Sequence, residues 1–598
     1  MTTPLNILSE SFGHKAFRPG QADIVDMILD GKNVLAVMPT GAGKSICYQV
    51  PSQLLDKPTV VISPLVALMD NQAAGLRANG VAVAAIHSGQ SRDENIGQWK
   101  SVAQGGTKLL YLSPERLMQP RMLSAMKALD PALFVVDEAH CVSKWGPAFR
   151  PEYADLSRLK ELFPNAAVAA FTATADASTR KDIAEQLFSG QGEIIVHGFD
   201  RPNLSLTVSN LTNRTQQLLA WMETQRGESG IVYCLSRKNT EKYAEILREQ
   251  GFNALPYHAG LSSEVRFENQ ERFLAEPAVV IVATIAFGMG IDKSNVRFVY
   301  HLNLPSSLEA YYQEIGRAGR DGAPSETGLI FALDDIRMRR QFISEDGSEP
   351  DHQMREHRRL DALLGYCEAS KCRRQVLMSY FGEKSDPCGN CDVCLNPPEL
   401  IDATAEAKAL FGAIHATGQR FGATHVIAVA RGDETPRILQ YGHDKLPVFG
   451  ASDKPKQWFQ GLLRQAVALR FLNVNMEAYG RLEIRPKAQA VLDGEKPFNC
   501  KDPTVKRTPK TSRTRTATKA KTSSLGAEDT ALLTRLKALR MDFAKQLGKP
   551  AFVVFSDATL IDMVTRKPKT REEMLDVSGV GPSKFERFGE AFMAELEG

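Results

Sequence analysis

Residues 34–50 read VLAVMPTGAGKSICYQV. An apolar run passes into a glycine-bearing turn, and the residues beyond it continue at helical spacing. That is the strand, loop and helix order of a phosphate-binding P-loop. Gly41 and Gly43 let backbone N–H groups face phosphate oxygens. In the same loop, which Thr40 opens, Lys44 is placed to reach the β and γ phosphates of a nucleoside triphosphate, and Ser45 to ligate Mg2+. A chance glycine turn would explain the loop but not the strand in front of it.

Further on, residues 133–140 read LFVVDEAH and put two carboxylates at the end of an apolar strand. A strand ending in Asp-Glu is common. Paired with a P-loop, however, it places Asp137 to hold Mg2+ and Glu138 to orient and deprotonate an attacking water. ATPases of this kind take a cation from a second lobe, and residues 311–322, YYQEIGRAGRDG, offer one. The spacing of Gln313, Arg317 and Arg320 predicts one face of a helix. A second strand-and-glycine pattern, VVIVATIAFGMGID at 279–292, precedes it.

Six segments then fall in one order: FGHKAFRPGQ (12–21), SPLVALMDNQ (63–72), DEAH (137–140), FTATA (171–175), IVYCLSRK (231–238) and QEIGRAGRDG (313–322). In sequence and order they resemble the helicase motifs of the RecQ family, and the resemblance extends over almost the whole chain. It implies an α/β motor of two RecA-like parallel-sheet lobes that hydrolyses ATP and moves 3′ to 5′ on DNA. By the same resemblance, Arg18 and Gln21 recognise adenine with His14 against the base, the alternative for His14 being a plain surface loop. Thr172 and Thr174 link the lobes, and Arg317 and Arg320 contact the γ-phosphate, Arg320 being the better finger.

Nine cysteines divide into scattered ones (Cys47, Cys141, Cys234, Cys367, Cys500) and a cluster in CRRQVLMSYFGEKSDPCGNCDVC at 372–394. Cys372, Cys388, Cys391 and Cys394 suit a closed tetrahedral thiolate site for a structural zinc, with Gly389 and Asn390 forming the turn. Cys367 is a rival fourth ligand. Helical patterns from 400 to 470, followed by two short strands around Ala478-Tyr479-Gly480, read as a winged helix. Tyr479 would be either a wedge against a terminal base pair or a merely exposed tip. Residues 525–598 carry periodic apolar positions and resemble the small helical domain shared by RecQ and RNase D proteins. The glycine turn in VSGVGPSK (577–584) could offer N–H groups to a phosphate, or the domain could contact protein.

The chain of 598 residues carries 73 Lys or Arg against 70 Asp or Glu. The excess is local: residues 501–524 hold eight cations and one Asp with almost no apolar bulk, the composition of a flexible linker. No apolar run reaches the roughly 20 residues of a membrane span, and the N-terminus has no secretory pattern. The expected division is lobe 1 at 1–200, lobe 2 at 201–335, a zinc module at 336–398, a winged helix at 399–500, the linker, and a helical bundle at 525–598. The expected partners are single-stranded and duplex DNA, with a single-stranded-DNA-binding protein as a further one. The expected setting is a monomer in the cytoplasm, at the nucleoid, serving replication, recombination, repair and the SOS response. An RNA helicase of the same class and a DNA adaptor without a motor are the alternatives. The stretch CVSKWGPAFRPEY (141–153) puts Trp145, Phe149, Arg150 and Tyr153 beside Glu138, suited to stacking on a base while holding a phosphate. In the RecQ family this loop couples DNA binding to hydrolysis, but its usual His and Asp are Pro147 and Ala148 here.

Overall fold

The computed structural model describes residues 2–39, 41–64, 66–143, 151–175, 177–288, 293–475, 481–502, 527–547 and 551–597. Short apolar runs, too brief for helices, become strands, most of them buried on both faces. β1 (Val34–Val37), β2 (Thr59–Ile62), β3 (Val83–Ile86), β4 (Leu109–Leu112), β5 (Leu133–Val136), β6 (Ala167–Thr172) and β7 (Glu193–Val196) form one sheet. Its order is β3-β4-β2-β5-β6-β1-β7, and every pairing is parallel. Parallel strands need covered crossovers, so helices pack on both faces and the strand ends open onto one rim.

The second lobe repeats the plan with β8 (Leu204–Asn210), β9 (Gly230–Tyr233), β10 (Asn253–Tyr257), β11 (Val279–Ala283), β12 (Phe298–His301) and β13 (Ser325–Phe331), in the order β10-β11-β9-β12-β13-β8. β8 is an edge strand, and the cysteine cluster covers it. Leu206 makes a parallel bridge to Cys391, Arg374 and Asn390 donate to the Leu204 carbonyl at 2.6 and 3.3 Å, and the Val208 N–H reaches Asp392 at 3.4 Å.

Helices Leu333–Glu345, Pro350–Cys367 and Arg373–Phe381 follow the second lobe. The winged helix comes next: helices Thr404–Ala416, Ala423–Arg431 and Lys456–Ala468, with β15 (Leu472–Asn475) antiparallel to β16 (Arg481–Ile484). Its first strand, β14 (Leu400–Asp402), pairs with its last, β17 (Asn499–Lys501). Lys501 is therefore not the start of the linker: its ammonium lies 2.7 Å from the buried Glu368 carboxylate, which Arg464 also holds. Tyr479 and residues 503–524 lie outside the described residues. The C-terminal bundle packs helices Ala527–Leu547, Asp557–Arg566, Arg571–Leu575 and Glu590–Glu597 around Leu536, Phe555, Met563 and Phe592. Its glycine turn does not offer all its N–H groups to a ligand, because that of Gly579 donates to the Gly13 carbonyl at 3.2 Å. Among the described residues no helix is long and apolar enough to cross a membrane.

Candidate nucleotide site and zinc centre

The P-loop joins β1 to helix Ile46–Leu54. Gly41 and Gly43 take left-handed φ of +85° and +78°, which a side chain would strain. A Cβ on Gly43 would also come within 2.6 Å of Gln21 Nε2. Gln21, 3% exposed, donates from that nitrogen to the carbonyls of Ala42 (2.9 Å) and Gly43 (3.1 Å) and accepts the Arg18 N–H at 2.9 Å. Arg18 in turn donates to the Gly41 carbonyl at 2.6 Å. Residues 18–21 therefore brace the loop from the N-terminal side. His14 stands near them, its pKa held down by burial and then by the charges of Arg18 and Lys584. Lys44 donates to the Met38 carbonyl at 3.2 Å, and burial lowers its pKa against the pull of Glu138 and Asp137. Thr40 lies outside the described residues.

Asp137 and Glu138 follow β5 and face Lys44. Burial, then the neighbouring Glu138 charge, push the Asp137 carboxyl up to about 7, with Lys44 opposing. Glu138 has φ +50°, an unusual backbone for this residue type. Its Oε2 lies 3.3 Å from His140 Nδ1, and that nitrogen is 2.9 Å from Thr172 Oγ1. Thr172 donates to the Thr174 carbonyl at 3.1 Å, and Gln313 Nε2 of the other lobe donates to Thr174 Oγ1 at 2.6 Å. A row of polar groups thus leads from His140, beside the Glu138 carboxylate, through Thr172 and Thr174 to Gln313 across the cleft, with Glu138 near it and not hydrogen-bonded into it. Tyr153 belongs to this site and not to an exposed stacking loop. It is fully buried, and its hydroxyl donates to the Asp137 carbonyl at 3.1 Å. Trp145, Phe149 and Arg150 lie outside the described residues.

The arginines do not continue the helix of Gln313. That helix ends at Ile315, a run of turns follows, and Gly319 (φ +59°) redirects the chain, so Arg317 and Arg320 lie beyond the helix. This separates their roles. Arg317 donates to the Gly288 carbonyl within its own lobe, whereas Arg320 crosses toward the P-loop, its Cγ 3.4 Å from where a Gly41 Cβ would stand. Arg201, just before β8, shapes the turn by donating to the carbonyls of Ala318 (2.9 Å) and Gly319 (2.7 Å).

The four clustered cysteines place their sulfurs within 4.8 Å of one another, with Cys372 and Cys388 at 3.5 Å and Cys372 and Cys391 at 4.0 Å. Ligands about 2.3 Å from a tetrahedral zinc would sit roughly 3.8 Å apart, so the set fits. The N–H groups of Cys388, Asn390 and Cys394 donate to sulfurs at 3.3, 3.4 and 3.4 Å, as suits thiolates, and Gly389 makes the turn at φ +62°. Cys367 is buried and outside the group, which removes it as a ligand. Arg373 ties the knuckle to its helix, pairing with Asp392 at 2.8 Å.

Comparison with known proteins agrees with this layout. Family models match at 18–183 (DEAD/DEAH box helicase), 211–322 (helicase conserved C-terminal domain), 333–395 (RecQ zinc-binding), 397–509 (RQC domain) and 529–596 (HRDC domain). The ATP-dependent DNA helicase RecQ of Haemophilus influenzae is 40% identical over 598 residues, covering 100% of this chain and 96% of that protein. The chain belongs to the RecQ family. Its RecQ relative from Pasteurella multocida is also 40% identical, over 100% of this chain and 94% of its own length. That of Bacillus subtilis is 35% identical, over 99% and 98%. Against this RecQ frame, two residues escaped the sequence reading. His140, which joins Glu138 to Thr172, could have been found from its place two residues after the carboxylate. Arg201 carries no local signal, because its targets are carbonyls 115 and more residues away.

Proposed function

We propose that this RecQ-family ATP-dependent DNA helicase moves 3′ to 5′ along one strand and opens duplexes in recombination and repair, at the nucleoid in the cytoplasm. The observation that carries the reading is the meeting of the two lobes at one cleft: Gln313 donates to Thr174 beside the His140–Thr172 pair that adjoins Glu138, and Arg320 lies over the P-loop. Lys44 and the backbone of Gly41 to Ser45, with Thr40, hold the triphosphate. His14, Arg18 and Gln21 frame the base. Glu138 takes the proton of the attacking water, and Arg320 meets the charge that develops on the γ-phosphate, while Arg317 positions the turn. Ser45 and Asp137 are hard oxygen ligands fit for Mg2+, whose chemistry is to neutralise phosphate charge. A carboxyl pushed up to about 7 by burial is one that a cation would restore to its ionised form.

Because Gln313 sits on the far lobe, a change at the carboxylates is felt as a change in lobe spacing, the elementary stroke of a translocating motor. Trp145, Phe149 and Arg150 report DNA to that cleft, Pro147 and Ala148 raise turnover without DNA, and Tyr479 sits at the duplex end. The division into 1–200, 201–335, 336–398, a winged helix from 399 that runs on through β17 to 502 and not only to 500, and 525–598 stands as a proposal, with the linker beginning after Asp502. Single-stranded and duplex DNA are the partners, together with a single-stranded-DNA-binding protein, and the enzyme works as a monomer.

The test is ATP turnover with single-stranded DNA, with RNA and with neither, followed by unwinding of 3′- and 5′-tailed duplexes. Stimulation by DNA alone and unwinding of the 3′-tailed duplex are expected. Equal stimulation by RNA, or preference for the 5′ tail, overturns the substrate or the polarity.

A further inference from the structure

The chain crosses from lobe 1 to lobe 2 through residues 197–203, between β7 and β8. The zinc module pins this crossing. Phe199 stacks on Phe381 with ring centroids 4.3 Å apart, Asp200 pairs with Arg374 at 2.6 Å, and Asn390 donates to the Pro202 carbonyl at 3.4 Å. Arg201 stands between these anchors, so the backbone from which its side chain springs is held on both sides. That side chain reaches into the nucleotide cleft. While Nη2 holds the carbonyls of Ala318 and Gly319, Nη1 donates to the Gly316 carbonyl at 3.4 Å and lies 3.7 Å from where a Gly41 Cβ would stand.

Arg201 therefore meets the P-loop beside two other guanidinium groups. Arg320 has its Cγ 3.4 Å from the same Gly41 position, and Arg18 donates to the Gly41 carbonyl at 2.6 Å. Burial lowers the Arg201 pKa, and the charges of Arg320 and Arg18 lower it further, with Tyr312 and Asp321 opposing. The mutual repulsion of these three cations is relieved when an anion sits among them. We propose that Arg201 is a further phosphate-binding cation of the cleft, its Nη1 donating to the γ-phosphate of ATP from the segment that joins the lobes. The γ-phosphate is the one within its reach, because Arg201 is bonded to the turn that carries Arg320 and approaches the loop from the same side. Loss of that phosphate then acts directly on the crossing between the lobes, apart from the contact of Gln313 with Thr174. The proposal rests on the assignment of the P-loop to ATP and of Arg320 to its γ-phosphate.

The experiment measures the affinity of the full chain for a non-hydrolysable ATP analogue and for ADP. Arg201→Ala should weaken analogue binding at least about 10-fold, the usual loss of a charged hydrogen bond, and ADP binding less than about twofold. Asn203→Ala is the control: Asn203 braces the same turn through the Gly319 and Ala323 carbonyls, each at 2.9 Å, and its removal should leave the ratio of the two affinities unchanged. A double-mutant cycle gives a second readout. Arg201→Ala added to Arg320→Ala should cost a further several-fold in analogue affinity, whereas a residue that only holds Arg320 in place would cost nothing more. Equal losses for analogue and ADP, the same selective loss in Asn203→Ala, or no further loss in the double variant each overturns the proposal. If Arg201→Ala does not fold, Arg201→Gln, which keeps an amide donor for the turn and removes the charge, decides by the same comparison. A selective loss there supports the contact, and analogue affinity within about twofold of wild type overturns it. Lys44→Ala separates the two readings, since undiminished analogue binding there would refute the ATP-site assignment itself.

Discussion

Glu368→Gln should loosen the winged helix from the motor while leaving the motor's own chemistry alone. Glu368 caps the C-terminal end of helix Pro350–Cys367, where the helix dipole disfavours a carboxylate, and its side chain is 1% exposed. Burial alone would raise its pKa. Lys501, from the last strand of the winged helix, and Arg464, from its helix Lys456–Ala468, outweigh burial and hold the carboxyl down to about 2. A depression of about two units corresponds to about 3 kcal/mol. Lys501 offsets part of this, because burial lowers its own pKa despite the pairing. Yet removing the carboxylate strands two buried cations, a loss of about 3–5 kcal/mol in comparable sites. A net of about 3 kcal/mol is therefore expected, and amide exchange across 404–501 should quicken about 100-fold through local opening.

The sign with pH follows from the depressed pKa. The stabilisation is fully present above the unfolded value near 4.3 and is lost only as pH falls from there toward 2. The difference between wild type and variant should thus be constant from pH 8 to 5. DNA-stimulated ATP turnover should persist while duplex unwinding falls. Exchange within threefold of wild type in this segment would refute the reasoning, as would a difference that grows between pH 5 and 8.

Glu138→Gln should bind ATP normally and lose at least about 100-fold in kcat, the usual contribution of a general base; retention of a tenth of the rate in single-turnover assays would remove the assignment. Gln313→Ala should lower kcat more than analogue affinity, because it cuts the 2.6 Å bond to Thr174 across the cleft, and equal losses in both would argue against it. Asp137 has a raised pKa, so without Mg2+-nucleotide the first lobe should lose stability as pH rises through about 4 to 7. Thermal melts at pH 5 and 8 with and without Mg2+-nucleotide check this, and the slope should flatten when the ligand is bound. Cys391→Ser should bring zinc content below one per chain by metal analysis and lower the melting temperature of lobe 2 along with that of the knuckle.

Strand-and-loop motifs were legible because their chemistry is local. Gly41, Gly43 and Lys44 need only their own turn, and Cys388, Cys391 and Cys394 need only two short steps of chain. Helical spacing misled at Arg317 and Arg320, where the helix stops at Ile315 and Gly319 redirects the backbone. Tyr153 read as a stacking aromatic, since nothing in its sequence neighbourhood reveals that its hydroxyl meets the Asp137 carbonyl 16 residues back. Lys501 read as linker because seven further cations follow it in the 501–524 run, whereas its partner Glu368 is distant in sequence. Docking of the bundle on Gly13 joins residues more than 560 apart, and no periodicity encodes such a pairing.

The cover over β8 makes the border between second lobe and zinc knuckle a convenience of naming. Cut after residue 335, the lobe would present a seven-residue strand with one whole edge of N–H and C=O groups bare, and bare edges recruit other strands. The smallest motor that folds alone therefore ends past Cys394. Stripping the metal that would hold the knuckle closed should therefore bare this edge, and chelator-treated protein is expected to aggregate faster than untreated protein by light scattering.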